Sequence, residues 1–237
     1  MKLYICGDSF CVEDPEYGDS WVTLLQKSLP DVDIKNLSSA GASNYLIYLQ
    51  VKQALEEKPD FIIYHATSSI RQEFRLGNDE SQYDSAGRYW NLNNPNKQAP
   101  LICGSWLSID RLYNERITPQ QTKDINLFFK SFVDLPNLIE KNYIFISYIL
   151  SLLSRSGLHW AWTPGGFEHG SFGNIKNWDF DLYQSQMCPM NLWDYYDPAK
   201  IRPRFHVSDP EINQRVCNHY IDMLKLHTDS TQYHDPS

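Results

Sequence analysis

The sequence lacks the run of about 18 consecutive apolar residues that a membrane-spanning helix needs. Even residues 143–153 are broken by Ser147 and Ser151, so no membrane insertion is expected. It also lacks a cluster of Lys and Arg: 21 basic residues stand against 29 acidic ones, for a formal net charge of -8. Nucleic acids and anionic membranes attract concentrated positive charge, so neither is expected as a partner. The five cysteines, Cys6, Cys11, Cys103, Cys188 and Cys217, are odd in number, scattered and free of any C-x-x-C pair. That pattern excludes a disulfide framework and a zinc site as expectations and points to reduced thiols. The first residues enter an apolar strand pattern without the features of a secretory signal, and the expected location is cytoplasmic. No G-x-G-x-x-G or G-x-x-x-x-G-K follows that first apolar run, which argues against a nucleotide-binding domain. No internal repeat is visible, and neither a metal nor a cofactor is expected.

What is present is an alternation of short apolar runs and helical patterns. The length of 237 residues suits one α/β domain with insertions, and residues 1–237 are read as one such domain. Residues 2–6, 32–37, 61–65 and 158–162 read as parallel strands, the first and third almost wholly apolar as buried strands are. Residues 21–29 and 45–55 carry apolar side chains at helical spacing, following Asp19-Ser20 and Ser43-Asn44 as caps. Residues 118–156 read as one helical region that Pro136 breaks or kinks, and 211–226 as a closing helix. Such an alternation predicts an open parallel sheet with helices on both faces and a ligand site beyond the carboxyl ends of the strands. Residues 72–117 and 164–200 fit no regular element and are expected to be insertions covering the site. The tail, 227–237, is expected to fray.

Gly-Asp-Ser occurs twice, and context separates the copies. Asp19-Ser20 has a sufficient role in opening a helix, whereas Ser9 follows a strand, where a parallel sheet delivers residues to its ligand face. The surrounding Cys-Gly-Asp-Ser-Phe-Cys is not the G-x-S-x-G elbow of the α/β-hydrolases. Further along come Asn36-Leu37-Ser38-Ser39-Ala40-Gly41-Ala42-Ser43, then Ala66-Thr67-Ser68-Ser69, then Arg202-Pro203-Arg204-Phe205-His206-Val207-Ser208-Asp209 just before the last helix. In type and order these four stretches resemble the blocks of the SGNH (GDSL-type) hydrolases, and the pattern also resembles short SGNH-type proteins encoded by tailed phages.

The resemblance implies a three-layer α/β/α sandwich with a parallel, flavodoxin-like sheet and hydrolysis of esters through an acyl-serine, without metal or cofactor. It makes Ser9 the nucleophile and an oxyanion donor through its own N–H, Gly41 a second donor, and His206 the general base. His65, at the end of a strand, is the second candidate for the base. Two positions depart from the family pattern. Ser68 stands where the family has the asparagine of G-x-N-D, and losing one well-placed oxyanion donor costs about 2.7–4 kcal/mol. Ser68 itself, Asn44 or Arg71 are the candidates to replace it. Pro203 stands where the family has the aspartate that orients the histidine, leaving Asp194, Asp197, a backbone carbonyl or a Ser-His dyad open.

Aromatic residues in the two insertions, among them Trp90, Trp106, Trp178 and Trp193, suit stacking on a sugar ring or lining an acyl pocket, or form a small core of the loops themselves. The expected substrate is a small acyl ester, first an O-acetyl carbohydrate; a short-chain lipid ester or thioester is the same-class alternative. The departures at Ser68 and Pro203 favour a different class, a catalytically weak or inactive SGNH-fold binding or structural protein.

Overall fold

The computed structural model describes residues 1–12, 19–39, 42–69, 71–74, 101–103, 119–164, 179–188, 207 and 209–231. Four strands, β1 (Lys2–Cys6), β2 (Asp33–Asn36), β3 (Phe61–His65) and β6 (His159–Thr163), pair in parallel in the order β2-β1-β3-β6. In chain order these four parallel strands run 2-1-3-4, the flavodoxin-like arrangement. β1 and β3 have the bounds their apolar runs predict. β2 is shorter by a residue at each end, and β6 starts at His159 because Leu158 still belongs to the turn closed by its N–H on the Ser156 hydroxyl, 3.1 Å.

Successive side chains on a strand point to opposite faces, and here each face is apolar and covered by helices. Tyr4, Cys6, Ile62, Tyr64, Trp160 and Trp162 face α2 (Asn44–Glu57) and α4 (Leu135–Arg155), which contribute Leu46, Ile47, Val51, Ile146, Ile149 and Leu150. Leu3, Ile5, Phe61, Ile63 and Ala161 face α1 (Trp21–Ser28) and α5 (Pro210–Thr231), through Trp21, Val22, Leu25, Val216, Cys217 and Tyr220. The result is a three-layer α/β/α arrangement, each buried Leu, Ile or Val contributing about 1.5–3 kcal/mol relative to exposure. Ser20 and Ser43 cap α1 and α2 by accepting from the N–H groups of Thr23 and Leu46.

The helical region that Pro136 is expected to break or kink is broken: it divides into α3 (Pro119–Phe132) and α4, with Pro136 in the first turn of α4. Proline lacks only a donor that the first turn leaves unused, so here it opens the second helix. Three features differ from the sequence expectation. α5 continues to Thr231, into the tail expected to fray. Within the first insertion, β4 (Gln72–Phe74) and β5 (Leu101–Cys103) form an antiparallel ribbon, register Gln72 to Cys103. Within the second, a 3-10 segment, Asp179–Gln186, leads to a parallel bridge between Met187 and Trp162 that covers the free edge of β6. The rest of both insertions lies outside the described residues.

Candidate active site

The chain leaves β1 for β2 on one side and returns to β3 on the other, so the carboxyl ends of β1 and β3 bound a crevice at a topological switch point. Ser9 is in the loop from β1, in a 3-10 turn, Ser9–Cys11, and is 9% exposed. Three anchors hold that turn. Trp21 Nε1 donates to the Phe10 carbonyl at 2.9 Å, Asn36 Nδ2 donates to the Cys11 carbonyl at 2.7 Å, and the Phe10 N–H donates to the Asp8 carboxylate at 3.0 Å. Just before it, Gln50 of α2 grips the Gly7 peptide from both sides, accepting from the N–H at 2.7 Å and donating to the carbonyl at 3.2 Å. A Cβ at Gly7 would stand 2.6 Å from Cys11 Sγ and 2.9 Å from His65 Cβ, so glycine is what allows strand and turn to pass this closely.

The loop from β3 meets this turn. The Thr67 hydroxyl donates to Asp8 Oδ2, and Arg71 Nη1 donates to the same oxygen at 2.8 Å and to the Ala42 carbonyl at 2.9 Å. Asp8 is wholly buried, with its charge met by the Arg71 guanidinium and two hydrogen bonds, as a buried carboxylate requires. Asp8 and Thr67 directly precede Ser9 and Ser68, so their bond ties together the two loops that carry those serines; Ser68 is half-buried. Asn44 is not free to face a ligand. It exchanges hydrogen bonds with the Thr67 backbone, 3.0 and 3.1 Å, and its second amide hydrogen goes to Asn142 Oδ1 at 2.9 Å. Both of its donors are used inside the protein, and this corrects the expectation that it offers one to an oxyanion.

His65, the second candidate for the base, belongs to the core. Its ring stacks on Trp21 with centroids 5.0 Å apart, its Nε2 lies 2.8 Å from the Tyr220 hydroxyl, and burial pushes its pKa down to about 3. A ring so held is neutral and a poor proton acceptor at neutral pH. Cys6 and Cys11, which flank the Gly-Asp-Ser turn, are buried, and burial raises both thiols well above their ordinary value, so they act as apolar packing. Gly41, His206, Asp194, Asp197, Pro203 and the insertion tryptophans lie outside the described residues.

A cavity of about 290 Å³ opens beside the crevice, between the start of α2, the end of α3 and the first turns of α4. Arg71 and Asn142 connect it to the loop network, and Tyr45, Phe128, Phe132 and Phe145 line it with aromatic surface. Aromatic walls with a few convergent polar groups are the usual make-up of a small-molecule site. Sequence reasoning missed Gln50 and Asn142 as site-shaping residues. The signal was there: each interrupts the apolar face of its helix, and a polar side chain at a buried position needs a specific partner.

Fold and crevice together define an open α/β protein with a built turn around a buried serine at the sheet's switch point. No family model matches the chain, and no curated protein matches it in sequence. Among solved structures it is similar to a psychrotrophic esterase from a Pseudoalteromonas species, a structure inhibited by monoethylphosphonate, with 13% identity over 96% of this chain and 98% of that one and a TM-score of 0.47. It is similar also to an acetyl xylan esterase, with 11% identity over 70% of this chain and 59% of that one and a TM-score of 0.34.

Proposed function

We propose that the protein is a serine ester hydrolase of the SGNH type, acting on small acyl esters through an acyl-serine. The observation that carries this reading is the turn at Ser9: a serine directly after the first strand of the switch point, fixed by Trp21, Asn36 and Asp8 and tied through Asp8 to the loop of Ser68. In this reading Ser9 attacks the acyl carbon while His206 takes its proton and passes it to the leaving alkoxide. The N–H groups of Ser9 and Gly41, with Ser68, receive the developing oxyanion. Asp194 or Asp197 orients the histidine in place of the aspartate missing at Pro203, or the pair works as a dyad. The cavity beside Arg71 takes one part of the ester, and an O-acetyl carbohydrate is the proposed substrate class.

The test is hydrolysis of p-nitrophenyl acetate together with labelling by a fluorophosphonate, which needs both an activated serine and a held oxyanion. The expected outcome is an adduct on Ser9 by peptide mass spectrometry, and a fall in turnover of about 10³-fold or more in Ser9→Ala with an unchanged melting curve. Folded wild-type protein that shows neither labelling nor turnover supports the other reading, an inactive binding protein, which the departures at Ser68 and Pro203 favour.

A further inference from the structure

We infer that Arg71 is a positioning residue for this site: one side chain that sets the spacing of three loops at the carboxyl edge of the sheet. The inference rests on the reading of Ser9 as nucleophile. Among the described residues, the hydrogen bonds of Arg71 fall on or next to residues to which that reading gives an oxyanion donor. Nη1 donates to the carboxylate of Asp8, which precedes Ser9, and to the carbonyl of Ala42, which follows Gly41. Its backbone N–H donates to the carbonyl of Ser68 itself, at 3.4 Å. The side chain is only 13% exposed and the carboxylate it meets 1%, so the pair is shielded from solvent and held in one geometry.

The fork of the guanidinium matters as much as its charge. Two hydrogens on one planar nitrogen reach two acceptors on different loops at fixed angles, whereas an ammonium is a point charge with rotatable donors. The third loop here carries Ser68 in place of an amide side chain, and Asn44 has no donor to spare. What this arrangement does provide is a way to fix the backbone donors themselves. Arg71 does this from the wall of the cavity, through acceptors on the neighbouring loops.

The experiment compares wild type, Arg71→Lys, Arg71→Met and the double variant Asp8→Asn/Arg71→Met, which removes both charges together. Each is measured for kcat and KM on p-nitrophenyl acetate, for the rate of fluorophosphonate labelling, and for melting temperature. The inference expects Arg71→Met and the double variant to lose up to about 10²-fold in kcat and in labelling rate, with KM little changed, as a displacement of about 1 Å does. Arg71→Lys should recover only part, and methylguanidinium added to Arg71→Ala should restore a measurable fraction. If Arg71→Met does not fold, the double variant and Arg71→Lys carry the test. A role confined to neutralising Asp8 predicts that Arg71→Lys and the folded double variant label and turn over at the wild-type rate, and that result overturns the inference while leaving Ser9 as nucleophile. Wild-type protein without labelling or turnover overturns the reading of Ser9 and this inference with it.

Discussion

The two ends of the parallel sheet each hold a carboxylate among cations, and the two clusters are built differently. At the amino end Glu57, last residue of α2, accepts from Lys35 Nζ at 2.8 Å on both oxygens, from the Tyr4 hydroxyl and from Gln53 at 2.9 Å, with its side chain 30% exposed. Lys2 and Lys35 stand over the Tyr4 ring at 5.0 and 5.1 Å. At the carboxyl end Asp8 keeps 1% of its side chain exposed and, among the described residues, meets one cation, Arg71. Water can replace any partner of Glu57, so that cluster tolerates loss and rearrangement. Asp8 is shielded from solvent, so the loss of a partner is not made good from bulk water, and the loops its partners belong to are held in one arrangement. The carboxylate cluster is therefore open to solvent at the amino end and shielded where the nucleophile is proposed.

The largest effect that would sharpen this contrast is on stability. Arg71→Met leaves a buried carboxylate without its cation and should cost about 3–5 kcal/mol in urea unfolding, while Asp8→Asn/Arg71→Met should cost clearly less than the sum of its two single changes. Additive costs would mean that the two charges do not depend on each other. Next comes Gly7→Ala, where the new methyl meets Cys11 Sγ and His65 Cβ inside contact distance. Overpacking of this kind should cost about 1–3 kcal/mol, measured as a shift in denaturant midpoint, and a neutral substitution would show that the carboxyl end yields more than its contacts indicate.

The smallest effect belongs to Glu57, whose pKa is lowered to about 2, first by the hydrogen bond from Lys35 and then by those from Tyr4 and Gln53. A carboxylate with a folded pKa below its unfolded value stabilises above the unfolded value, near 4.5, and loses that contribution as pH falls towards 2. Because the group is partly in solvent, Glu57→Gln should remove less than about 1 kcal/mol at pH 7, and the difference from wild type should vanish near pH 2. A Glu57→Gln penalty as large as that of Arg71→Met would erase the distinction between the two ends.

Much of the framework was legible because it is local. β1 and β3 are short buried runs, Ser20 and Ser43 are caps read from the residue before a helical pattern, and Pro136 marked the boundary between α3 and α4. The pairing of β4 with β5 was not legible, since its partners lie far apart within a long insertion and no local periodicity announces them. Of the site, Ser9 and the loop of Ser68 could be named from their places after strands. The dismissal of Asn44 and His65 could not, because it depends on partners 98 residues away at Asn142 and 155 away at Tyr220.

By itself, then, the sequence determined the α/β alternation, the two apolar faces of the sheet and the position of Ser9 after the first strand. These follow from side-chain periodicity and capping, which act over a few residues. The tertiary structure alone decided that Asp8, Thr67 and Arg71 meet, that Gln50 and Gly7 lock together, and that the Asn44 amide is spent. Each of these joins polar groups from separate elements, and only packing of the sheet against its helices brings them into the dry interior where a hydrogen bond has no competing water.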